Sequence, residues 1–365
     1  MAERVVVAGA GMVPFMAPGS NASGIAERAI RKALDDAGID VELVDQAVAS
    51  HVHGNPTAGD RAIARAGLTG IAVSSVTNCC ASGSAALFHA RQALLSGEAQ
   101  CVLAVGLDDS IEAAAPPPDW LRRCSAQLDW LAERNGACDE TFARVAVKAR
   151  AHGARNPYAV HRDPLSLAEA LAAPILLGRL RRSYVSGASF GAAAVVLATP
   201  RFAARHGLRD EVLLAAHALE NDQAGDAEGS NDALASSTTR RVAERVYESA
   251  GVDPADIDVA EVHDCCAGDE LISCAALGLC ADDDIDRFVR SGANTYGGKV
   301  VVSPSGGLLS LGHASGATGL AQICELTWQL RGEAGSRQVV GARVALQHNG
   351  GHGGTIAVAI LRRKD

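Results

Sequence analysis

Four short segments of the chain carry residue types capable of covalent chemistry. Asn78-Cys-Cys-Ala-Ser-Gly83 puts two thiols where an apolar run, 71–76, gives way to an Ala-rich stretch with helical spacing, 81–95. A cysteine at a strand-to-helix turn meets unpaired N–H groups and the positive end of the helix dipole. Both favour the thiolate, and hence a nucleophile. Taken alone, Cys79 and Cys80 also fit two small buried apolar residues, the usual place of free cysteines. Glu261-Val-His-Asp-Cys265 places His263 and Cys265 where a second strand runs into a helix, and Gly312-His-Ala-Ser-Gly316 places His313 on a loop before another. Gln347-His-Asn-Gly-Gly-His-Gly-Gly354 carries His348 and Asn349 between the last two strands. Each histidine has a plain explanation as a satisfied loop or core residue. Together, at the strand ends where open α/β sheets hold their sites, they describe a centre of thiols and imidazoles.

The elements that must position these groups follow an α/β rhythm. The sequence predicts a strand at 4–8, a helix at 23–37 stopped by Gly38, a strand near 45–51 and a helix at 57–67. A buried strand at 71–76, the Ala-rich helix and an apolar strand at 100–107 follow. From about 110 to 180 the texture changes to a Pro-rich loop at 113–119, Trp120, Trp130 and helices around 139–152 and 166–173. Arg122, Arg123, Arg134, Arg179, Arg181 and Arg182 cluster there, facing either solvent or the anionic arm of a nucleotide-bearing cofactor. Sheet texture resumes at 191–198. A second series then has strands at 211–219 and 258–262, helices at 238–250 and 268–277, and a glycine-rich segment at 291–312. It closes with a helix at 317–331 and strands at 342–347 and 355–361. Two series in one order predict an internal duplication of pattern. The expected division is 1–110 plus 190–205 as the first half, 111–189 as an inserted cap, and 206–365 as the second half.

Composition excludes several classes. A formal charge of −9 argues against a nucleic-acid partner, and no apolar run reaches membrane-spanning length. The ten cysteines form no CxxC pair and no secretory leader precedes them, so the expectation is a reduced, cytoplasmic protein without a structural zinc. Gly9-Ala-Gly11 is a lone GxG with Pro14 where a phosphate-binding helix would start, so it reads as a tight turn. His51-Val-His53 lacks a third ligand and reads as a polar loop, and no metal site is expected.

Asn78-Cys-Cys-Ala-Ser-Gly83, Gly312-His-Ala-Ser-Gly-Ala-Thr-Gly319 and the terminal glycine run resemble the three signatures of the thiolase superfamily. Gly67-Leu-Thr-Gly-Ile71, Glu261-Val-His-Asp-Cys265, Ala276-Leu-Gly-Leu-Cys280, Thr295-Tyr-Gly-Gly-Lys299, Trp328-Gln-Leu-Arg-Gly-Glu-Ala-Gly335 and Ala345-Leu-Gln-His-Asn349 are similar to its sterol-carrier-protein-type branch. The resemblance spans both halves and is weakest in the cap. It implies the thiolase fold, an internally duplicated five-layered αβαβα sandwich with an inserted cap. It also implies Cys80 as acyl-accepting nucleophile and Cys265 as acid/base thiol, with His348 where ordinary thiolases keep a second cysteine. His263 and His313 would bracket the thioester oxygen, and the backbone N–H of Cys80 with that of Gly350 or Gly351 would form a second oxyanion hole. Tyr296, Phe190 and Asn349 are candidate substrate contacts. Coenzyme A or acyl-CoA is the implied substrate, with no permanently bound cofactor, and a homodimer is expected.

The sequence departs from the family at the end of the cap, where Phe190 stands for an acid. It departs also at Gly312-His313-Ala314, where loss of the usual proline would loosen the loop, and at Cys266, where a Phe is common. Three readings follow. The first is 3-ketoacyl-CoA thiolysis or the reverse Claisen condensation. The second is a specialised acyltransferase or retro-aldolase of the kind that works with a small OB-fold, zinc-ribbon subunit. The third is a non-catalytic acyl-binding scaffold.

Overall fold

The computed structural model describes residues 5–20, 22, 24–109, 118–223, 236–351 and 354–364. The first repeat runs β1 (Val5–Met12), α1 (Ile25–Ala37), β2 (Gln46–Ser50), α2 (Ala58–Arg65), β3 (Ala72–Val76), α3 (Ser82–Leu95) and β4 (Cys101–Asp108). An insertion then holds α4 (Pro118–Asn135), α5 (Asp139–Gly153), α6 (Leu167–Ala172) and the hairpin β5 (Ile175–Leu177) and β6 (Leu180–Arg181). β7 (Gly191–Ala198) completes the repeat and α7 (Pro200–His206) leads out of it. The second repeat is β8 (Val212–Glu220), α8 (Ser236–Ala250), β9 (Val259–Glu261), α9 (Ala267–Ala276), α10 (Ile285–Arg290), β10 (Val301–Val302), α11 (Gly307–Ser310), α12 (Thr318–Arg331), β11 (Val344–Gly350) and β12 (Ile356–Arg363).

β1, β4 and β7 are continuous apolar runs because both of their faces are covered, so every residue in them is buried. The first five sheet strands lie in the order β3-β2-β4-β7-β1 and the second five in the order β10-β9-β11-β12-β8. Numbered within each repeat, both orders are third, second, fourth, fifth, first. The parallel and antiparallel pairings match as well. The duplication expected from pattern is therefore a duplication of topology. Among the described residues, the two sheets meet edge to edge at two residue pairs, Val5–Leu214 and Val6–Leu213.

Five layers result. α1 and α2 cover one face of the first sheet through a core that includes Ile30, Ile63 and Val196. α3 and α12 lie between the sheets, where Leu87, Leu94, Ile323 and Leu330 pack with residues of both. α8 and α9 cover the outer face of the second sheet around Val246, Cys274 and Val358. The insertion forms its own core of α4 and α5 residues against α9 and α10.

Two features differ from the sequence reading. β3 is not a buried strand: it is the sheet edge, and none of its five residues is buried. An apolar composition that suits a buried strand also suits an edge awaiting a partner. α4 was not anticipated behind the Pro-rich loop, although Pro118 at its first position and Leu121, Cys124, Leu128 and Leu131 at helical spacing mark it. The loop at 113–119 lies largely outside the described residues, as do Arg4, Ser23 and, in the terminal glycine run, His352 and Gly353.

Candidate active site

Cys80 sits one residue before the N-cap of α3. Cys79 ahead of it has φ 49°, a left-handed conformation that side chains rarely adopt. The turn is held by Ser82, whose hydroxyl accepts from Asn78 N at 2.8 Å and donates to Cys79 O at 2.6 Å. The strained turn places the Cys80 thiol, rather than its neighbour's, toward the seam between the two repeats.

His313 arrives from the second repeat with its Nε2 3.1 Å from Cys80 Sγ. Its Nδ1 lies 2.9 Å from Thr318 Oγ1, and that hydroxyl donates to Ala314 O at 2.9 Å. Thr318 therefore accepts from Nδ1–H, leaving the Nε2 lone pair aimed at the thiol. Burial pulls the His313 pKa down, but the Cys80 charge outweighs it and the net shift is upward. Cys80 is held well below the ordinary thiol value, first by a hydrogen bond from Cys265 and then, against the cost of burial, by His313 and His263. Cys265 is held well above it by that same contact and by burial. One thiol carries the charge and the other keeps the proton. Ser315, inside the Gly312–Gly319 signature but assigned no role from sequence, adds a hydroxyl 3.8 Å from Cys80 Sγ and 3.4 Å from His313 Nε2.

The His313 loop is not loosened by the missing proline. His313 N donates to Gly187 O, Ser189 N donates to His313 O, and Gly316 N donates to Asp108 Oδ2 at 2.7 Å. A Cβ at Gly316 would stand 2.4 Å from Leu107 O, so glycine is required for this approach between the repeats. The other oxygen of Asp108 accepts from Val52 and His53, which makes the His51–His53 segment a backbone clamp.

His263 lies with its ring centroid 5.5 Å from that of His313 and its Nε2 2.9 Å from Cys265 Sγ. Burial pushes its pKa down to about 3, so it is a neutral imidazole. His348 faces away from the thiols: its Nδ1 accepts from His263 N at 3.4 Å, its Nε2 is 3.4 Å from Thr239 Oγ1, and burial brings it to about 4. It supports the strand end that carries His263.

Other sequence candidates separate. Gly351 N is committed to Thr355 O at 2.7 Å and is no oxyanion donor. Gly350 pairs with Ile356 one step further along the antiparallel ladder, where bonding alternates, so its N–H points away from β12. Asn349 touches His263 rather than open space. Phe190 packs with the outer core beside α1 and exchanges backbone bonds with Met16. Tyr296 donates to Arg337 O at 2.6 Å and lies against His152 and Arg155, none of which belongs to the thiol cluster. Neither aromatic residue lines the site. Of the cap arginines, Arg122 and Arg179 pair with surface carboxylates, whereas Arg123 turns inward beside Asp269.

Two groups of side chains stand close enough to grip a metal ion among the described residues, Cys80–His263–His313 and Cys124–Cys266–Asp269. The first is the reacting set itself. In the second, the Arg123 guanidinium opposes a cation.

Alkylation of Cys80 by iodoacetamide is expected to stay fast well below the ordinary thiol value of about 8.5. It should decline only as acid protonates the thiolate. His313→Ala should move that midpoint upward, read by mass spectrometry of the Cys80 peptide against pH. A wild-type midpoint near the ordinary value would refute the ion pair.

A duplicated sandwich with a primed thiol on one repeat, met by imidazoles and a second thiol from the other, defines an acyl-transferring enzyme fold. Models of "Thiolase, N-terminal domain" and "Thiolase C-terminal domain-like" match residues 5–114 and 223–363, and the chain belongs to the thiolase family. It is 40% identical over 393 residues to "Sterol carrier protein 2" of Homo sapiens, across 99% of this chain and 72% of that protein. Among solved structures it superposes on the "Ltp2-ChsH2(DUF35) aldolase" with TM-score 0.86 at 21% identity, covering 99% of this chain and 98% of the other. On human mitochondrial 3-ketoacyl-CoA thiolase the TM-score is 0.76 at 16% identity, covering 100% and 99%. The family's chemistry, carbon–carbon bond making and breaking beside a thioester, is thus the chemistry of this fold. Coenzyme A and acyl-CoA serve the family as substrates rather than bound cofactors. No helix among the described residues is long and apolar enough to cross a membrane.

Proposed function

We propose that the chain forms and cleaves a carbon–carbon bond next to a thioester through an acyl-Cys80 intermediate. The observation that carries this is the Cys80–His313 contact at 3.1 Å beside a second thiol held protonated. In the cleaving direction, the Cys80 thiolate, its proton already held on His313 Nε2, attacks the 3-keto carbon. The bond between C2 and C3 then breaks, and its electron pair becomes the enolate of the shortened thioester, protonated at carbon by Cys265. The Cys265 thiolate next takes the proton of an incoming coenzyme A thiol, whose sulfur displaces the acyl group from Cys80. Neutral His263 and protonated His313 bracket the enolate oxygen, and Cys80 N–H with Gly350 N–H receives the oxygen of the tetrahedral adduct.

A second reading keeps the site but changes the partner reaction. The likeness to the Ltp2-ChsH2(DUF35) aldolase supports a retro-aldol or other specialised acyl transfer carried out with a small OB-fold accessory subunit. Intact-protein mass after incubation with a panel of acyl-CoA thioesters separates these readings. An acyl adduct on Cys80 that free coenzyme A removes supports thiolysis. An adduct that coenzyme A leaves in place, with copurification of a small zinc-containing protein, supports the second. No adduct with any thioester overturns both and leaves the scaffold reading.

The exposed edge strand β3 supports a homodimer in which two copies pair at this edge. Val73→Arg is expected to convert the dimer to monomer, measured by light scattering after gel filtration. A monomeric wild type would refute the pairing.

A further inference from the structure

We propose that Gln322, Gln347, Ser84 and Asn349 act as positioning residues that lock His263 in its neutral Nε2–H tautomer. The inference deepens the reading above, since it assigns what makes His263 a hydrogen-bond donor toward the reacting oxygen.

The chain of bonds runs in one direction. Gln322 Nε2 lies 3.2 Å from both Val262 O and His348 O, and two carbonyl oxygens can only accept, so its amide nitrogen is fixed on that side. Gln322 Oε1 then faces Gln347, which must present Nε2 to it at 2.8 Å. The same Gln347 nitrogen donates to Ser84 Oγ at 2.8 Å. Ser84 therefore spends its own proton on Asn349 Oδ1 at 3.1 Å. Asn349 is left with Nδ2 toward His263 Nδ1 at 3.0 Å. That ring nitrogen must accept, so the proton of the neutral imidazole sits on Nε2, facing Cys265 and the seam.

All five side chains are buried, each at 3% exposure or less, so water cannot substitute for a broken link. Reversing the amide of Gln347 would bring two amide oxygens together. The orientation that avoids this leaves Gln347 Oε1 without a partner, a desolvation cost accepted to keep the direction. The chain also crosses between repeats: Ser84 lies on α3, Gln322 on α12, and Gln347 and Asn349 on β11. The two imidazoles at the thiols are thereby given unlike duties. His313 holds the proton taken from Cys80 and balances its charge, and His263, neutral, presents a proton that stabilises charge on the substrate.

Nitrogen-15 NMR of histidine-labelled resting protein tests the assignment directly, with His263 identified by its loss in His263→Gln. Wild type is expected to show a protonated Nε2 and an unprotonated Nδ1 at His263, and both nitrogens protonated at His313, the partner of the Cys80 thiolate. Asn349→Asp sets an oxygen against Nδ1 and should draw the proton there. The carbon–carbon step should then slow by about 100-fold, the loss typical of one oxyanion donor, with KM little changed. The Cys80 alkylation rate should hold, which a collapsed site would not allow. A wild-type His263 protonated on Nδ1 overturns the proposal, as does an Asn349→Asp variant with unchanged tautomer and rate. Should that variant not fold, the wild-type spectrum alone decides. A correct tautomer in a protein that takes no acyl group would refute the thioester reading and leave this assignment standing.

Discussion

Cys80→Ala is expected to lower acyl transfer by about 10⁴-fold or more and to leave no acyl adduct in the intact mass after incubation with acyl-CoA. Loss of a covalent nucleophile removes the intermediate outright, and the remaining binding and oxyanion groups retain only a residual acceleration. The fold should be untouched. Cys80 lies at the seam between repeats with half-buried surroundings, and alanine fills its place without a clash. A Cys80→Ala protein that still accumulated an acyl group would move the nucleophile elsewhere. Cys265 would be the next candidate by proximity, although its thiol is held protonated by the neighbouring charge and by burial.

Cys265→Ser should divide the reaction into two. The serine hydroxyl can still donate toward the Cys80 thiolate, so acylation by a simple acyl-CoA should proceed at nearly the wild-type rate. It cannot readily give up its proton to a carbanion or recover one from a carbon acid, since its pKa lies far above that of a thiol. Condensation and cleavage should fall by about 10² to 10⁴-fold, the usual contribution of a placed general acid or base. Stopped-flow or quenched measurement of the two half-reactions checks this. Unimpaired turnover by Cys265→Ser would make His263 or a water the acid, and the raised thiol at this position would then be structural.

The sequence made most of this architecture legible because each reacting group sits where a period of apolar residues breaks. The thiol of Cys80 follows a strand pattern and precedes a helical one. His263 and Cys265 do the same, and His313 opens the Ala-rich start of α12. Local pattern is enough for such elements. What it leaves hidden are facts about neighbours. The run 71–76 has the composition of an interior strand, and only the sheet order reveals that β2 is its one partner among the described residues. Gly350 and Gly351 look alike in sequence, and the register of β11 against β12 distinguishes them. Tyr296 and Phe190 are aromatic residues in marked segments, yet both turn into packing that the segments do not announce. Ser315 stands inside a quoted signature, yet a serine in a loop has no periodic pattern that marks it for a role. The bond chain to His263 joins residues up to 265 positions apart, and nothing in any one segment hints at it.

A reactive sulfur whose acidity depends on groups contributed by the far half of the polypeptide has a consequence during synthesis. When the first repeat leaves the ribosome, its Cys80 has neither His313 nor Cys265 beside it and keeps the modest acidity of a common thiol. At neutral pH it is then mostly protonated, and slow to meet peroxide, disulfides or stray activated acyl groups. Only when the second repeat docks does the sulfur ionise. A nascent chain thus carries its most vulnerable atom in a dormant form until the surroundings that make it useful are in place.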